Sequence, residues 1–289
     1  MAIMITAAAA ALIASQAAAQ QTFGFAYYDI DRLYDTIPSP FGNDSDYTPD
    51  GRLKWNGERY RRKVEAVAAV IDSMAMPVTA LFGVENEQVV RDIVSCCKGG
   101  YSYLHRTSDR FDGLDFALLY YGDLLFPLKT ESGRSYMKVE AQLSGGAKAV
   151  FILAKKARNM EAVIAQALAQ DPQTTVVAAG EFEANGLAGM ADALHDVERS
   201  GHGNVLYADG WKMADRIAAA NGVILRAGVY ARRHLLDRRG APMPTYRRNI
   251  YAGGAGKRLP VWCIVETKTE AAARADEDNI RTGIYIDTK

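Results

Sequence analysis

The sequence alternates amphipathic helical segments with short, continuously apolar strands, and this order constrains the fold more than any other feature. A helical face over residues 60–71 ends before Pro77, and the apolar run 78–82 follows it. The pattern recurs as a helical face over residues 89–97 and an apolar run at 101–104. Buried strands that alternate with helices are typical of α/β proteins. The chain is therefore predicted to be an α/β protein.

Further strands are predicted by apolar or alternating runs along the rest of the chain. They fall at residues 23–28, 114–120, 136–143, 150–153, 175–179, 211–217 and 260–265. Residues 154–169 are predicted to be a helix that ends at Asp171-Pro172. No internal repeat and no clear linker interrupts this series. One domain over residues 22–265, followed by a polar tail over 266–289, is the simplest organisation.

The first 19 residues carry no charged side chain and end in Ala17-Ala18-Ala19. This pattern predicts a secretory signal peptide over residues 1–19, although the usual basic start is missing, and a buried N-terminal helix is the alternative. We therefore expect a secreted or periplasmic protein. No other segment approaches the roughly 20 apolar residues that a membrane-spanning helix needs.

The charges balance overall but are segregated along the chain. Lys plus Arg and Asp plus Glu both number 34, which argues against a general binder of nucleic acid. The segment 226–258 has many basic residues and a single acidic one, Asp237. The basic residues are Arg226, Arg232, Arg233, Arg238, Arg239, Arg247, Arg248, Lys257 and Arg258. Four of them, Arg247, Arg248, Lys257 and Arg258, are candidates for binding an anionic ligand. The alternatives are ordinary solvated surface charge and nucleic-acid binding through the segment 226–258, which the neutral net charge makes the weakest.

Three cysteines, Cys96, Cys97 and Cys263, leave at least one thiol unpaired. A bridge from Cys263 to Cys96 or Cys97 is one possibility, and buried free thiols are the other. Their spacing does not predict a zinc site.

Two carboxylates, Glu181 and Glu183, stand directly after the apolar run 175–179 in the segment GEFEAN. Acids at this spacing at the end of a strand suit a divalent cation, which prefers oxygen ligands. They are equally compatible with the solvated edge of a sheet.

Several sequence words, taken in succession, resemble the endonuclease/exonuclease/phosphatase superfamily related to DNase I, and within it the exported bacterial branch. They are YDIDRLYDT at residues 28–36, YTPDG at 47–51, WN at 55–56, VEN at 84–86 and DGLDFALLY at 112–120. The resemblance implies a four-layer sandwich, in which two packed β-sheets are flanked by helices and the active cleft lies at the strand ends. It also implies metal-dependent hydrolysis of phosphate esters, with Mg²⁺ held by Asn and Glu and an Asp-His pair as acid and base.

The functional positions that the resemblance implies are mostly replaced. Asp29 stands where the family has Asn, Gly83 where it has the metal-binding Glu, and Ala141 where it has a phosphate-contacting His. The terminal His is replaced by Arg258, whereas Asp215 matches the Asp that orients it. Loss of one such group commonly slows a reaction a hundredfold or more.

The leading hypothesis is therefore a catalytically inactive protein that binds an anionic ligand or a protein partner and needs no cofactor. The alternative is a divergent phosphodiesterase or phosphatase that uses Mg²⁺ or Mn²⁺ at a rebuilt carboxylate site. The acids available for that site are Asp29, Asp31, Glu181, Glu183 and Asp215. The two hypotheses differ in what lies between these acids: a metal site favours the enzyme, and Arg258 in that space argues against it.

Overall fold

The computed structural model describes residues 20–40, 44–156, 160–182, 187 and 189–268. The predicted signal peptide, Glu183 and residues 269–289 of the predicted tail lie outside the described residues.

Strands make up most of the secondary structure. They are β1 (Thr22–Leu33), β2 (Val78–Val84), β3 (Ser102–Arg106), β4 (Asp115–Tyr120), β5 (Leu125–Gly133), β6 (Tyr136–Leu143), β7 (Lys148–Lys155), β8 (Thr175–Glu181), β9 (Ala191–Asp192), β10 (Val205–Tyr207), β11 (Gly210–Lys212), β12 (Arg216–Ala220), β13 (Gly222–Val229), β14 (Tyr246–Arg247), β15 (Ile250–Tyr251) and β16 (Val261–Thr267). The helices are α1 (Gly57–Met74), α2 (Glu87–Cys96), α3 (Met160–Gln170) and α4 (His195–Arg199).

Two six-stranded mixed sheets form the body of the molecule. The first sheet has the order β13-β16-β1-β2-β4-β3, and the second has the order β5-β6-β7-β8-β12-β9. The strands β1 and β2 run parallel in the first sheet, as do β7 and β8 in the second. The end of β8 therefore lies beside the end of β7, with Glu181 opposite Lys155.

The inner faces of the two sheets pack against each other through aromatic and aliphatic side chains. Phe25 of the first sheet stacks on Phe151 of the second with ring centroids 5.6 Å apart, and Phe23 contacts the same ring edge-on at 5.9 Å. All three rings are buried, and burying a side chain of this kind stabilises the fold by roughly 1.5–3 kcal/mol. This apolar layer holds the sheets together and fixes their strand ends relative to each other.

Helices cover the outer faces. The apolar faces of α1 and α2 pack on the first sheet, and α3 packs on the second. Asn56 and Asn86 cap α1 and α2, since each side-chain oxygen accepts a hydrogen bond from a backbone N–H of the first turn. The layers are helix, sheet, sheet and helix, so the predicted α/β sandwich is confirmed.

Several element bounds differ from the sequence-based prediction. The strand predicted over 211–217 is two strands, β11 and β12, separated by a loop that carries Asp215. The helix predicted from Ala154 begins at Met160, because β7 continues through Ala154 and Lys155 in parallel pairing with β8. Sheet pairing here overrides the local helix propensity of alanine. The last strand, β16, extends to Thr267, two residues into the predicted tail.

All three cysteines are free thiols: Cys96 is exposed, Cys97 is half-buried and Cys263 is buried in the core. Residue Cys263 lies in β16, between the sheets, where its side chain acts as a small apolar group. Over the part of the chain that the structure describes, no helix is long and apolar enough to cross a membrane.

Candidate functional site

Three carboxylates from separate elements converge where strands of the two sheets end. Asp29 comes from β1, Glu181 ends β8, and Asp215 precedes β12. One oxygen of each lies within 4.8 Å of the others. Such proximity is unfavourable for like charges unless cations or protons offset it.

Two cations lie among these carboxylates. The Lys155 ammonium is 2.5 Å from Asp29 Oδ2 and 2.7 Å from Glu181 Oε2. Arg258 donates through one terminal nitrogen to Glu181, at 2.6 Å, and through the other to Asp215. We call Asp29, Lys155, Glu181, Asp215 and Arg258 the charged cluster. With all five groups ionised, its net charge is −1.

Burial makes these contacts strong. Asp215 is only 1% exposed, and burial raises the pKa of its carboxyl from 3.8 to about 6, although the Arg258 charge opposes the rise. Burial alone would lower the pKa of Lys155, but the carboxylates of Asp29 and Asp215 outweigh it and raise that pKa. Burial also opposes ionisation of Glu181, yet hydrogen bonds and charge from Lys155 and Arg258 keep the pKa of Glu181 below its usual range. The cations are therefore firmly bound to the acids.

Asn204 holds Asp215 in place. Its side-chain nitrogen donates to Asp215 Oδ2 at 2.7 Å and to the backbone oxygen of Leu259 at 3.2 Å. Its side-chain oxygen accepts from the backbone N–H of Ala214 at 2.8 Å. Because Leu259 follows Arg258 directly, this buried amide fixes both partners of the Arg258–Asp215 pair.

Gly180 allows the end of β8, which carries Glu181, to approach β7 closely. Gly180 has φ +129°, and a Cβ there would lie 1.9 Å from the backbone oxygen of Ala154. Only glycine fits this close approach of β8 to β7. The glycine of GEFEAN thus places Glu181 against Lys155.

A second glycine has a backbone conformation that disfavours the side chain the resemblance expects there. Gly83, where the resemblance expects the metal-binding Glu, has φ +103° at an irregularity in the pairing of β2 with β4. A side chain there would strain the backbone. The nearby Glu85 lies away from the charged cluster, because its Oε2 accepts a hydrogen bond from the backbone N–H of Asp35 at 2.7 Å.

The charged cluster meets only part of what a divalent cation requires. Their carboxylate oxygens are of the right type and spacing for hard cations. However, these oxygens already accept hydrogen bonds from Lys155 and Arg258. A dication bound to the same oxygens would lie close to the Lys155 ammonium and the Arg258 guanidinium, and both cations would repel it. As arranged, the residues do not fit Mg²⁺ or Mn²⁺.

The site residues predicted from the sequence are divided among three places. Asp29, Glu181, Asp215 and Arg258 lie together in the charged cluster. Asp31 and Lys257 form a separate, more exposed pair with 3.4 Å between Lys257 Nζ and the Asp31 oxygens. The other predicted residues lie elsewhere: Arg247 and Arg248 border a different pocket, and Glu183 is outside the described residues.

Ala141 does not lie at the site, where the resemblance expects a phosphate-contacting His, whereas Lys155 does. Ala141 is buried in the core and pairs with Ala149, six residues before Lys155, so about 20 Å of strand separates it from the charged cluster. Lys155 is not among the residues predicted from the sequence, because the pattern of its segment predicts a helix and not the end of a strand. A lysine directly after the apolar run 150–154 was the signal available in the sequence.

Comparisons with known proteins agree with this architecture. Residues 24–150 match the model of the Endonuclease/Exonuclease/phosphatase family. No curated protein matches the sequence. A Bacteroides thetaiotaomicron protein of the endonuclease/exonuclease/phosphatase family has a similar structure, with a TM-score of 0.58 and 11% identity over 86% of this chain and 99% of that one.

Two further solved structures share the fold. A humanized D. rerio TDP2 gives a TM-score of 0.55 and 12% identity, covering 85% of this chain and 99% of its own. A mannosyl-6-phosphatase of Bacteroides thetaiotaomicron gives 0.54 and 12%, covering 84% and 99%. At such low identities the likeness concerns the fold alone.

Proposed function

We propose that this chain, which has the fold of the endonuclease/exonuclease/phosphatase superfamily, is a catalytically inactive member of it that acts by binding. The observation that carries the proposal is the charged cluster. Arg258 and Lys155 satisfy the carboxylates that would otherwise be free to hold a metal ion.

The chemistry of phosphate ester hydrolysis supports this reading. The reaction needs a cation to stabilise charge on the phosphate and a base to take a proton from water. Arg258 stands where the resemblance expects a histidine, and an arginine side chain stays protonated in proteins, so it cannot be the base. Asp215 is buried and bonded to Arg258 and Asn204, which removes it from contact with solvent water.

The cellular setting is part of the same proposal. If residues 1–19 act as a signal peptide, the protein works outside the cytoplasm, as a secreted or periplasmic binding protein. Its partner would be an anionic ligand or another protein, because the segregated basic residues of the segment 226–258 offer positive charge.

Two observations favour the alternative, a divergent metal-dependent phosphodiesterase or phosphatase. Three carboxylates do lie within 4.8 Å of one another. In addition, the Tyr27 hydroxyl is buried without a hydrogen-bond partner among the described residues. Burial raises the pKa of Tyr27, and the nearby charges of Asp215 and Asp29 raise it further. This function would require Mg²⁺ or Mn²⁺ to displace Lys155 or Arg258.

The two proposals are separated by activity and by metal binding measured on the same protein. We expect no turnover of p-nitrophenyl phosphate, bis-p-nitrophenyl phosphate or an oligonucleotide above the protein-free blank with Mg²⁺ or Mn²⁺. We also expect a flat calorimetric titration with Mn²⁺. Turnover that disappears in Glu181→Ala, together with a stoichiometric Mn²⁺ site, would establish the alternative instead.

A matched pair of variants shows whether the cations themselves exclude the metal. Arg258→Met and Lys155→Met each raise the negative charge of the cluster to −2. We expect one or both to bind Mn²⁺ where the wild-type protein does not. Arg52→Met, which removes an exposed arginine paired with Asp46, is the control and should leave the titration flat.

A further inference from the structure

The β14–β15 hairpin has a turn that costs conformational free energy. Arg248 and Asn249 connect its strands, with φ of 48° and 67°. Two successive residues with positive φ are typical of a tight hairpin turn in which Gly and Asn are preferred. Asn249 fits this preference, whereas Arg248 does not. An arginine in this conformation is less favourable than a glycine would be, so the turn itself does not account for its side chain.

The base of the hairpin is held rigidly. The ring of Tyr246 lies 6.0 Å from that of the buried Trp55, and its hydroxyl donates to the backbone oxygen of Leu53 at 3.1 Å. The guanidinium of Arg59 lies 4.6 Å above the ring of Tyr251. The tip is therefore presented to solvent from a fixed platform, which lowers the entropic cost of binding.

A pocket lies beside this hairpin, away from the charged cluster. We call it the hairpin pocket; its lining includes Asp237, Arg239, Met243, Arg247, Arg248 and Ile250, and its volume is about 600 Å³. None of these residues belongs to the charged cluster. Its size is in the range of sites that bind small molecules or a few side chains.

The hairpin pocket carries unbalanced positive charge. Asp237 pairs with Arg247 at 2.6 Å and accepts backbone hydrogen bonds from Arg239 and Ala241. The guanidinium groups of Arg239 and Arg248 have no partner elsewhere in the described residues. Two free guanidiniums in one pocket suit carboxylates, which they bind in a bidentate manner.

The same pocket also exposes apolar surface. Ile250 is 73% exposed, one of the largest exposures of any bulky apolar side chain in the described residues, and Met243 lies in the same lining. A small inorganic anion would use the arginines and leave this surface in water. A peptide segment with both acidic and aliphatic side chains would use both.

We propose that the hairpin pocket binds an acidic segment of a partner protein, with an aliphatic side chain against Ile250 and Met243 and carboxylates on Arg239 and Arg248. The aliphatic contact provides the apolar centre and the arginines provide orientation, as at other protein interfaces. This surface is separate from the charged cluster, so the proposal does not depend on whether that cluster is inactive.

The test uses a fluorescein-labelled peptide of sequence Glu-Glu-Leu-Glu-Glu and fluorescence anisotropy at about 50 mM salt. We expect binding that weakens about tenfold in Arg239→Ala, in Arg248→Gly and in Ile250→Ser. Arg248→Gly is the sharpest variant, because glycine relieves the positive φ and should keep or raise the melting temperature while binding is lost. Arg106→Ala, which removes an exposed arginine from the edge strand β3 and not from the hairpin pocket, is the matched control and should bind as the wild type.

Three outcomes would overturn the proposal. One is the absence of measurable peptide binding, and another is unchanged binding in all three variants. The third is attraction by charge alone, which either equal affinity for a peptide with Ser in place of Leu or tighter binding of a short DNA duplex would show.

Discussion

Replacing Arg258 by methionine should destabilise the protein by an amount that depends on pH. Methionine keeps most of the length and apolar contact of the side chain but removes the charge that faces Asp215 and Glu181. Asp215 is 1% exposed and would remain in the core of the site without its cation. Removal of one partner from a buried ion pair commonly costs about 3–5 kcal/mol. We expect a loss of this size at pH 8.

The pH dependence follows from the pKa of Asp215. Burial raises this pKa from 3.8 to about 6, so the folded protein holds a proton that the unfolded chain releases between those values. Binding of this proton stabilises the folded state below pH 3.8, and the stabilisation is lost as the pH rises through 6. The difference between the two pKa values corresponds to about 3 kcal/mol in the free energy of unfolding. Without Arg258, whose charge lowers the pKa of Asp215, that pKa rises further. At pH 5 the variant can protonate Asp215, and the loss should fall to about 1–2 kcal/mol.

The assay is urea unfolding followed by tryptophan fluorescence at pH 5 and pH 8, since Trp55 is fully buried and reports on the core. The double variant Arg258→Met with Asp215→Asn should recover part of the stability at pH 8, because the uncompensated charge is gone. Arg52→Met removes an arginine whose side chain is 58% exposed, and it should leave the free energy of unfolding nearly unchanged at either pH. A loss below 1 kcal/mol in Arg258→Met, or the same loss at both pH values, would refute the reasoning.

Two further predictions concern groups outside the charged cluster. Burial raises the pKa of Glu85 to about 8, and the carboxylates of Asp35 and Asp44 add to the rise, so the free energy of unfolding of the wild type should fall between pH 5 and pH 8. Glu85→Gln should reduce this pH dependence in urea unfolding, and an unchanged pH dependence would contradict the assignment to Glu85. Burial also raises the pKa of the Cys263 thiol to about 12, so a thiol-specific colorimetric reagent should modify Cys96 in the native protein but reach Cys263 only in denaturant, whereas rapid native modification of all three thiols would contradict the burial of Cys263.

The sequence predicted the fold well where the local pattern and the tertiary environment agree. The helices α1 and α2 have a clear apolar face and an asparagine cap, and the buried strands β2 and β8 are continuous apolar runs. The prediction was wrong where the environment overrides local preference. The stretch Ala154 to Lys155 has good helix formers, but its backbone groups pair with β8.

For the site, the sequence supplied the identities of the acids and of Arg258, but it did not supply their partners. Asp29, Lys155 and Glu181 are far apart in the chain, and their contact depends on how two sheets pack through Phe25 and Phe151. The candidate arginines illustrate the same point, since Arg258 lies in the charged cluster while Arg247 and Arg248 border the hairpin pocket.

The sequence by itself determined the α/β order of the elements and the segregation of charge. It also determined that Gly83 and Arg258 replace the Glu and the His that the resemblance expects. These are properties of residue type and local spacing, which a linear pattern records. Only the tertiary structure decided that Lys155 and Arg258 lie among the three carboxylates. The reason is that a buried charge takes its partner from whichever strand end the packing of the sheets brings within about 3 Å, regardless of separation along the chain.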